Sequence, residues 1–232
     1  MANPWMDPEY VAAWVGRVQG GNPLREHQIG VVCRLADVGS PRRILELGIG
    51  TGAVARRLLA RLPDASLTGL DGSAAMLERA EANLKAYDGR VSFVTSLLEE
   101  DWPARTGGDY DLVVSVQAMH HVPGEAKRDC YEKAFRVLKP GGRFLVSDRL
   151  AIDPRLFELY RALWDRARDR GDFERVSPEF TRARYEARLA ENGDVPDRLE
   201  TQLAWLRDVG FDPVDCFWLD GDRAVFGGLK AP

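Results

Sequence analysis

The chain has 232 residues, 45% of them apolar and 29% charged, with six Trp, six Tyr and nine Phe. That composition excludes a mainly disordered chain, and no apolar run approaches the ~18 residues of a membrane span. A formal charge of −4 argues against a nucleic-acid partner, which calls for a basic field.

Residues 1–40 read as a helical cap, with Trp5, Tyr10, Trp14 and Val18 at loose helical spacing. From residue 42 the pattern alternates. Arg43–Leu47 is a short apolar strand that ends in glycines, and Val54–Leu62 is a helix stopped by Pro63. Leu67–Leu70 is a second strand ending at Asp71, followed by a helix over Ala74–Ala86 that Ser73 can cap. Val91–Thr95, Tyr110–Val116 and Arg143–Asp148 read as the third, fourth and fifth strands. A helix over Lys127–Leu138 precedes the last of these, closed by Pro140-Gly141-Gly142. Strands and helices in alternation imply a parallel sheet covered on both faces, with ligands outside the carboxyl ends of its strands.

Beyond the fifth strand, residues 153–192 read as two helices joined through Gly171–Pro178. Leu156, Leu159, Tyr160, Leu163 and Ala167 form the apolar stripe of the first, and the second runs over Glu179–Glu191. The many Arg and acidic residues from Arg149 to Glu191 read as a solvated, ion-paired face. Leu199–Val209 is an amphipathic helix ended by Gly210. Val214–Leu219 and Ala224–Phe226 then flank Asp220-Gly221-Asp222 as an antiparallel hairpin. The N-terminus lacks a basic head and an apolar stretch, so no secretory signal is expected. Cys33, Cys130 and Cys216 are odd in number and widely spaced. They predict free thiols, no metal centre and a cytoplasmic protein.

Chemistry concentrates at Glu46-Leu47-Gly48-Ile49-Gly50-Thr51-Gly52, between the first strand and its helix. Glycines there let backbone N–H groups approach a ligand. Asp71, at the end of the second strand, suits a ribose diol. The spacing is G-x-G-x-G rather than G-x-G-x-x-G, and Glu46 beside the loop would repel a pyrophosphate. A nicotinamide oxidoreductase is therefore disfavoured, and a ligand with an ammonium group is favoured.

ILELGIGTG, LTGLDGSAAML, YDLVVSVQAMHHV and LKPGGRFLVSD resemble, in order and spacing, the motifs of class I S-adenosylmethionine-dependent methyltransferases. The C-terminal LAWLRDVGFDPVDCFWLDGDRAVFGG resembles the last helix and hairpin of the same fold. The resemblance implies an α/β, Rossmann-like doubly wound sheet of seven strands in the order 3-2-1-4-5-7-6, the last antiparallel. It implies a single methyltransferase domain over 1–232: a cap at 1–40, a cofactor-binding core at 42–150, a helical lid at 151–198, and the last helix and hairpin at 199–232. S-adenosyl-L-methionine is the implied cofactor and S-adenosyl-L-homocysteine its product.

The same resemblance assigns roles. Glu46 would hold the methionine amino group and Asp71 the ribose hydroxyls. Gly48, Gly50 and Gln117 would lie along the methionine portion, and Gly72 and Met76 against adenine. Where the family usually has an Asp reading adenine, this chain has Ser96, followed by Leu97. Arg25 suits either the cofactor carboxylate or a surface pair with Glu26 or Asp37; His27 reads as a packing residue. His120, His121 and Asp148 are candidates for catalysis at the strand ends. Because two adjacent extended residues face opposite ways, one histidine would line the site and the other pack beneath it.

The expected function is methyl transfer by in-line displacement to a small-molecule acceptor, by a monomer or homodimer without membrane or nucleic-acid partners. Alternatives are a carboxylated-S-adenosylmethionine synthase or related tRNA-modification enzyme, which the C-terminal VDCFW and hairpin resemble, and a non-catalytic S-adenosylmethionine-binding protein.

Overall fold

In a computed structural model, the described residues are 4–18, 23–169 and 181–232. The cap holds α1 (Pro8–Val18) and α2 (Pro23–Asp37). The core then runs β1 (Arg43–Leu47), α3 (Ala53–Arg61), β2 (Ser66–Asp71), α4 (Ala74–Leu84), β3 (Val91–Thr95), α5 (Pro103–Thr106), β4 (Tyr110–Val116), α6 (Gly124–Val137) and β5 (Leu138–Arg149). The lid supplies α7 (Phe157–Asp169) and α8 (Arg182–Asn192), and the chain closes with α9 (Leu199–Val209), β6 (Phe211–Asp220) and β7 (Arg223–Lys230).

The sheet has seven strands in the order β3-β2-β1-β4-β5-β7-β6, the order the resemblance implied. Neighbours from β3 to β5 are parallel, whereas β7 runs antiparallel to both β5 and β6. Burial follows position in the sheet. The central strands β1 and β4 are buried almost throughout. Edge strands β3 and β6 carry half-buried and exposed positions, as strands with only one neighbour must.

One apolar layer joins Ile29, Val32 and Ala36 of α2 to Leu58 of α3, Ala80 of α4 and the sheet. A second, built on Trp102, Tyr131, Ala134 and Leu206, packs under α6 and α9. Cys33 and Cys130 are free and buried within these layers, and Cys216 is a half-buried free thiol on β6. Burial pushes the Cys33 thiol up to about 11 and that of Cys130 up to about 12. Among the described residues no helix is long and apolar enough to cross a membrane.

The structure corrects two expectations. Pro140-Gly141-Gly142 does not stand outside the strand but forms its start, because β5 begins at Leu138 and its pairing with β4 shifts register between Tyr110 and Leu112. The predicted stripe of α7 is not a buried face: Leu156, Leu159 and Leu163 are exposed. That helix packs instead through buried Phe157 and Trp164, which meet Tyr185 of α8 at ring distances of 6.2 and 5.6 Å. Tyr160 joins the same cluster, 6.1 Å from Trp164, so this pair belongs to the packing of the lid. The Gly171–Pro178 connection and the first residues of the predicted Glu179–Glu191 helix lie outside the described residues.

Candidate functional site

Two cavities meet at the carboxyl edge of the parallel strands. The first is a cleft walled by the glycine loop after β1, Asp71 and Gly72 after β2, Leu97, Leu98 and Glu99 after β3, and Val116 to Ala118 after β4. Met76, on the first turn of α4, is buried against it. Asp71 is fixed by two backbone donors: Gly50 N–H reaches one carboxylate oxygen at 2.9 Å and Ser73 N–H the other at 2.9 Å. Burial raises its pKa, and those two hydrogen bonds pull it back down.

Glu46 lines this cleft while 1% exposed, and its Oε2 has no hydrogen-bond partner. Burial raises its pKa well above the usual carboxylate range; the nearby Asp71 adds to this, while a backbone hydrogen bond involving Ala55 and the charge of Arg25 oppose it. A buried carboxylate with an unused oxygen costs stability unless a cation meets it. Glu46→Gln is therefore expected to stabilise the ligand-free protein by about 1–2 kcal/mol at neutral pH. A carboxyl whose folded pKa is raised contributes its full stability below its unfolded pKa, and loses it as pH rises through the folded value. The gain from Gln should accordingly grow with pH. Urea unfolding at pH 5 and pH 8 checks this; a gain no larger at pH 8 would contradict it.

Not every expected residue reaches the cleft. Ser96 stands apart from the lining, with its hydroxyl donating to Leu97 O at 3.2 Å and to Glu100 Oε2 at 2.9 Å. Leu97 is on the wall, and Glu99 is the acid that lines the cleft beyond β3. Glu26 pairs with Arg57, and Asp37 with Arg61. Arg25 instead lies over the Trp14 ring, 5.7 Å from its centroid, and lines both cavities. His27 packs 5.5 Å from the ring of Trp218.

The second cavity, of about 590 Å³, opens between the strand ends, the cap and α8. Its floor is the short turn Met119–His121. His120 is buried; its Nδ1 lies 2.5 Å from Asp148 Oδ1, which also accepts Arg149 N–H at 2.7 Å. Burial raises the pKa of Asp148, opposed by the charge of Lys127 and by that Arg149 N–H. Burial, reinforced by Arg149 and Arg223, holds the His120 pKa well below the usual imidazole range, and burial does the same for His121. The two rings lie 4.0 Å apart, with Trp5 of the cap 5.0 Å from His121. His120 and His121 both line this cavity, while only His121 also reaches the first cleft. Asp148 is 1% exposed and sits behind His120 rather than on the wall.

Asp194 reaches the floor from the segment that leaves α8. That segment is stitched down by Val195 N–H to His120 O at 2.6 Å and by buried Lys127, whose Nζ contacts Asp197 Oδ2 at 2.5 Å. Asp194 pairs with Arg149, and its Oδ1 lies 3.3 Å from His121 Nδ1 and 3.6 Å from His120 Nε2. These three ligand-type atoms lie within 4.8 Å of one another, but the arginines around them oppose a divalent cation.

Gln117 joins the two cavities. It has the left-handed φ of 57°, which is uncommon for a residue with a side chain. Its N–H donates to Ser147 O at 2.8 Å, and its Oε1 accepts from Arg223. Asp194, Arg184, Arg188 and Arg223 have no motif that singles them out in the sequence. Arg223 is the first residue of β7, directly after the hairpin turn, which places it at the strand edge.

A methyltransferase-domain family profile matches residues 44–142. The chain is 32% identical to trans-aconitate 2-methyltransferase of Streptomyces coelicolor, over 84% of this chain and 68% of that protein. It is 26% identical to carboxy-S-adenosyl-L-methionine synthase of Helicobacter hepaticus, over 74% of this chain and 69% of that protein. Among solved structures, an O-methyltransferase family protein from Burkholderia thailandensis superposes with a TM-score of 0.67 at 20% identity, over 96% of this chain. The chain spans 58% of that protein's length, so the likeness concerns the fold.

Proposed function

The chain belongs to the class I S-adenosyl-L-methionine-dependent methyltransferases, with S-adenosyl-L-methionine as cofactor, and from that premise we propose that it transfers the cofactor's methyl group to a small molecule held in the 590 Å³ cavity. The observation that carries this reading is the meeting of two cavities at Gln117 and His121, one suited to the cofactor and the other roomy enough for an acceptor.

The residues of the first cleft fit the cofactor. The unpartnered Oε2 of Glu46 suits its ammonium group, directly or through water. Asp71, held rigid by two N–H donors, keeps lone pairs for the ribose diol. Gly48, Gly50 and Gln117 would flank the methionine portion, Gly72, Met76 and Leu97 the adenine, and Arg25 the carboxylate. When bound, the cofactor supplies an activated methyl group on a sulfonium. What this chain adds is alignment, which alone can supply about 7–11 kcal/mol, and a cap and lid that exclude water.

Because Met119–His121 is a turn rather than extended chain, both histidines face the acceptor cavity, against the expectation that one would pack beneath; we assign both to its wall and Asp148 to the support behind His120. An imidazole whose pKa is held low can take a proton only from an acceptor acidic enough to match it.

Calorimetric titration tests the proposal. S-adenosylhomocysteine should bind at micromolar levels and NAD should not. Asp71→Ala removes a charge-assisted contact and should weaken S-adenosylhomocysteine by roughly 10- to 100-fold. Binding of NAD without S-adenosylhomocysteine would reverse the reading, and unchanged affinity in the variant would remove Asp71 from the site.

A further inference from the structure

The larger cavity carries a charge opposite to that of the molecule. The whole chain has a formal charge of −4. Yet the guanidinium groups of Arg25, Arg149, Arg184, Arg188 and Arg223 line this one cavity, against the carboxylates of Glu191 and Asp194. The two histidines on its floor bring no negative charge in either protonation state. The expected solvated face of the lid is thus only part of the outcome, because Arg149, Arg184 and Arg188 also face a common interior.

The arginines converge from separate elements: Arg25 from α2, Arg149 from the end of β5, Arg223 from the start of β7, and Arg184 and Arg188 from α8. Residues four apart on a helix share a face, so the last two form one cationic edge of the lid. Arg149, paired with Asp194, and Arg223, bonded to Gln117 and 4.0 Å from Asp222, form another at the rim of the sheet, and among the described lining residues five arginines still outnumber two acids. Such an excess in a partly enclosed space focuses the field on an entering anion. A guanidinium is a planar fork that matches a carboxylate at two points. One carboxylate cannot reach two separate edges, so a molecule bearing two or more can engage both. The rings of Trp5, Tyr10 and Trp14 on the cap add an apolar wall to the same cavity.

We propose that the acceptor is a small organic acid carrying at least two ionised carboxylates on an apolar frame, held between the Arg184–Arg188 edge of the lid and the Arg149–Arg223 edge of the sheet. The role of acceptor rests on the methyltransferase reading above, whereas the anion site stands on the charge of the cavity.

The test is calorimetry on the whole protein, with and without saturating S-adenosylhomocysteine. The probes are tricarballylate, its uncharged trimethyl ester, and inorganic phosphate. Tricarballylate should bind at least about tenfold more tightly than the other two, and less tightly as ionic strength rises. Arg184→Gln and Arg188→Gln together should weaken it by about tenfold or more and leave S-adenosylhomocysteine affinity within about twofold. Equal binding of acid and ester, binding of phosphate as tight as the acid, no binding of the acid, or full affinity in the double variant would each overturn the proposal. Capture of the acid by a protein that does not bind S-adenosylhomocysteine would instead sink the methyltransferase reading while the anion site stood.

Discussion

Gly48→Ala is expected to weaken S-adenosylhomocysteine binding by at least about 100-fold while the protein stays folded. Two effects act at this position. Gly48 has a φ of +73°, where an alanine is strained by about 1 kcal/mol or more. An added Cβ would also lie 2.3 Å from the Cβ of Ala118. Neither methyl group can rotate away, so the backbone must move. Gly48 N–H donates to Leu70 O at 2.8 Å, which ties the loop to β2. Ala118 leads into the Met119–His121 turn. Because both residues line the cofactor cleft, any relief of the clash shifts one of its walls. Calorimetry measures the affinity and circular dichroism the fold. The double variant Gly48→Ala with Ala118→Gly should recover part of the loss. Affinity within about threefold of the parent in the single variant would show that the cleft tolerates that movement.

Gly227→Ala should destabilise the protein by about 3–5 kcal/mol, a large share of the stability of an ordinary domain. Gly227 lies in β7, opposite Leu145 of β5 and Asp215 of β6. A Cβ there would come 2.0 Å from Phe144 O, 3.0 Å from Phe144 C and 3.2 Å from Leu145 Cα. All three are backbone atoms of a central strand, so no side chain can yield. Relief requires separating β7 from β5 on both sides of the residue, at the cost of ladder hydrogen bonds. Urea unfolding of the parent and the variant measures the effect. Gly16→Ala, on an exposed face of α1 with nothing within 4 Å of its added Cβ, is the matched control and should be neutral or slightly stabilising. A loss below about 1 kcal/mol at Gly227 would mean that the strands accept a wider spacing there.

The cofactor half was legible because it is local. β1, the glycine loop, β2 and Asp71 follow one another within thirty residues, and the apolar strands announce their own burial. β1, β3 and β4 appear with the bounds their apolar runs predict. The half proposed for the acceptor was not legible. Asp194 and Arg223 look like any other charged residue in the chain, and only the tertiary path of the lid and the reversal of β7 bring them to the histidines. The lid also shows where periodicity stops being informative. Leu156, Leu159 and Leu163 recur as a helical stripe should, yet they face outward because Phe157 and Trp164 already pack against α8. A repeat reveals that a helix has two faces; larger aromatic surfaces decided which one was covered. Ser96 stands off the wall of the cleft, its hydroxyl turned to Glu100 four residues on.

The reversed direction of β7 also affects how the site is completed. A parallel last strand would deliver its carboxyl end to the ligand edge, but β7 delivers Arg223, its first residue, beside Arg149. The residues that wall the first cleft all lie at or before position 122, although β4, which carries or leads to several of them, pairs with β5. The acceptor cavity gains its sheet-edge arginine pair only when residue 223 has been made and β7 has slotted between β5 and β6. The larger cavity therefore depends on the last strand of the chain in a way that the first cleft does not.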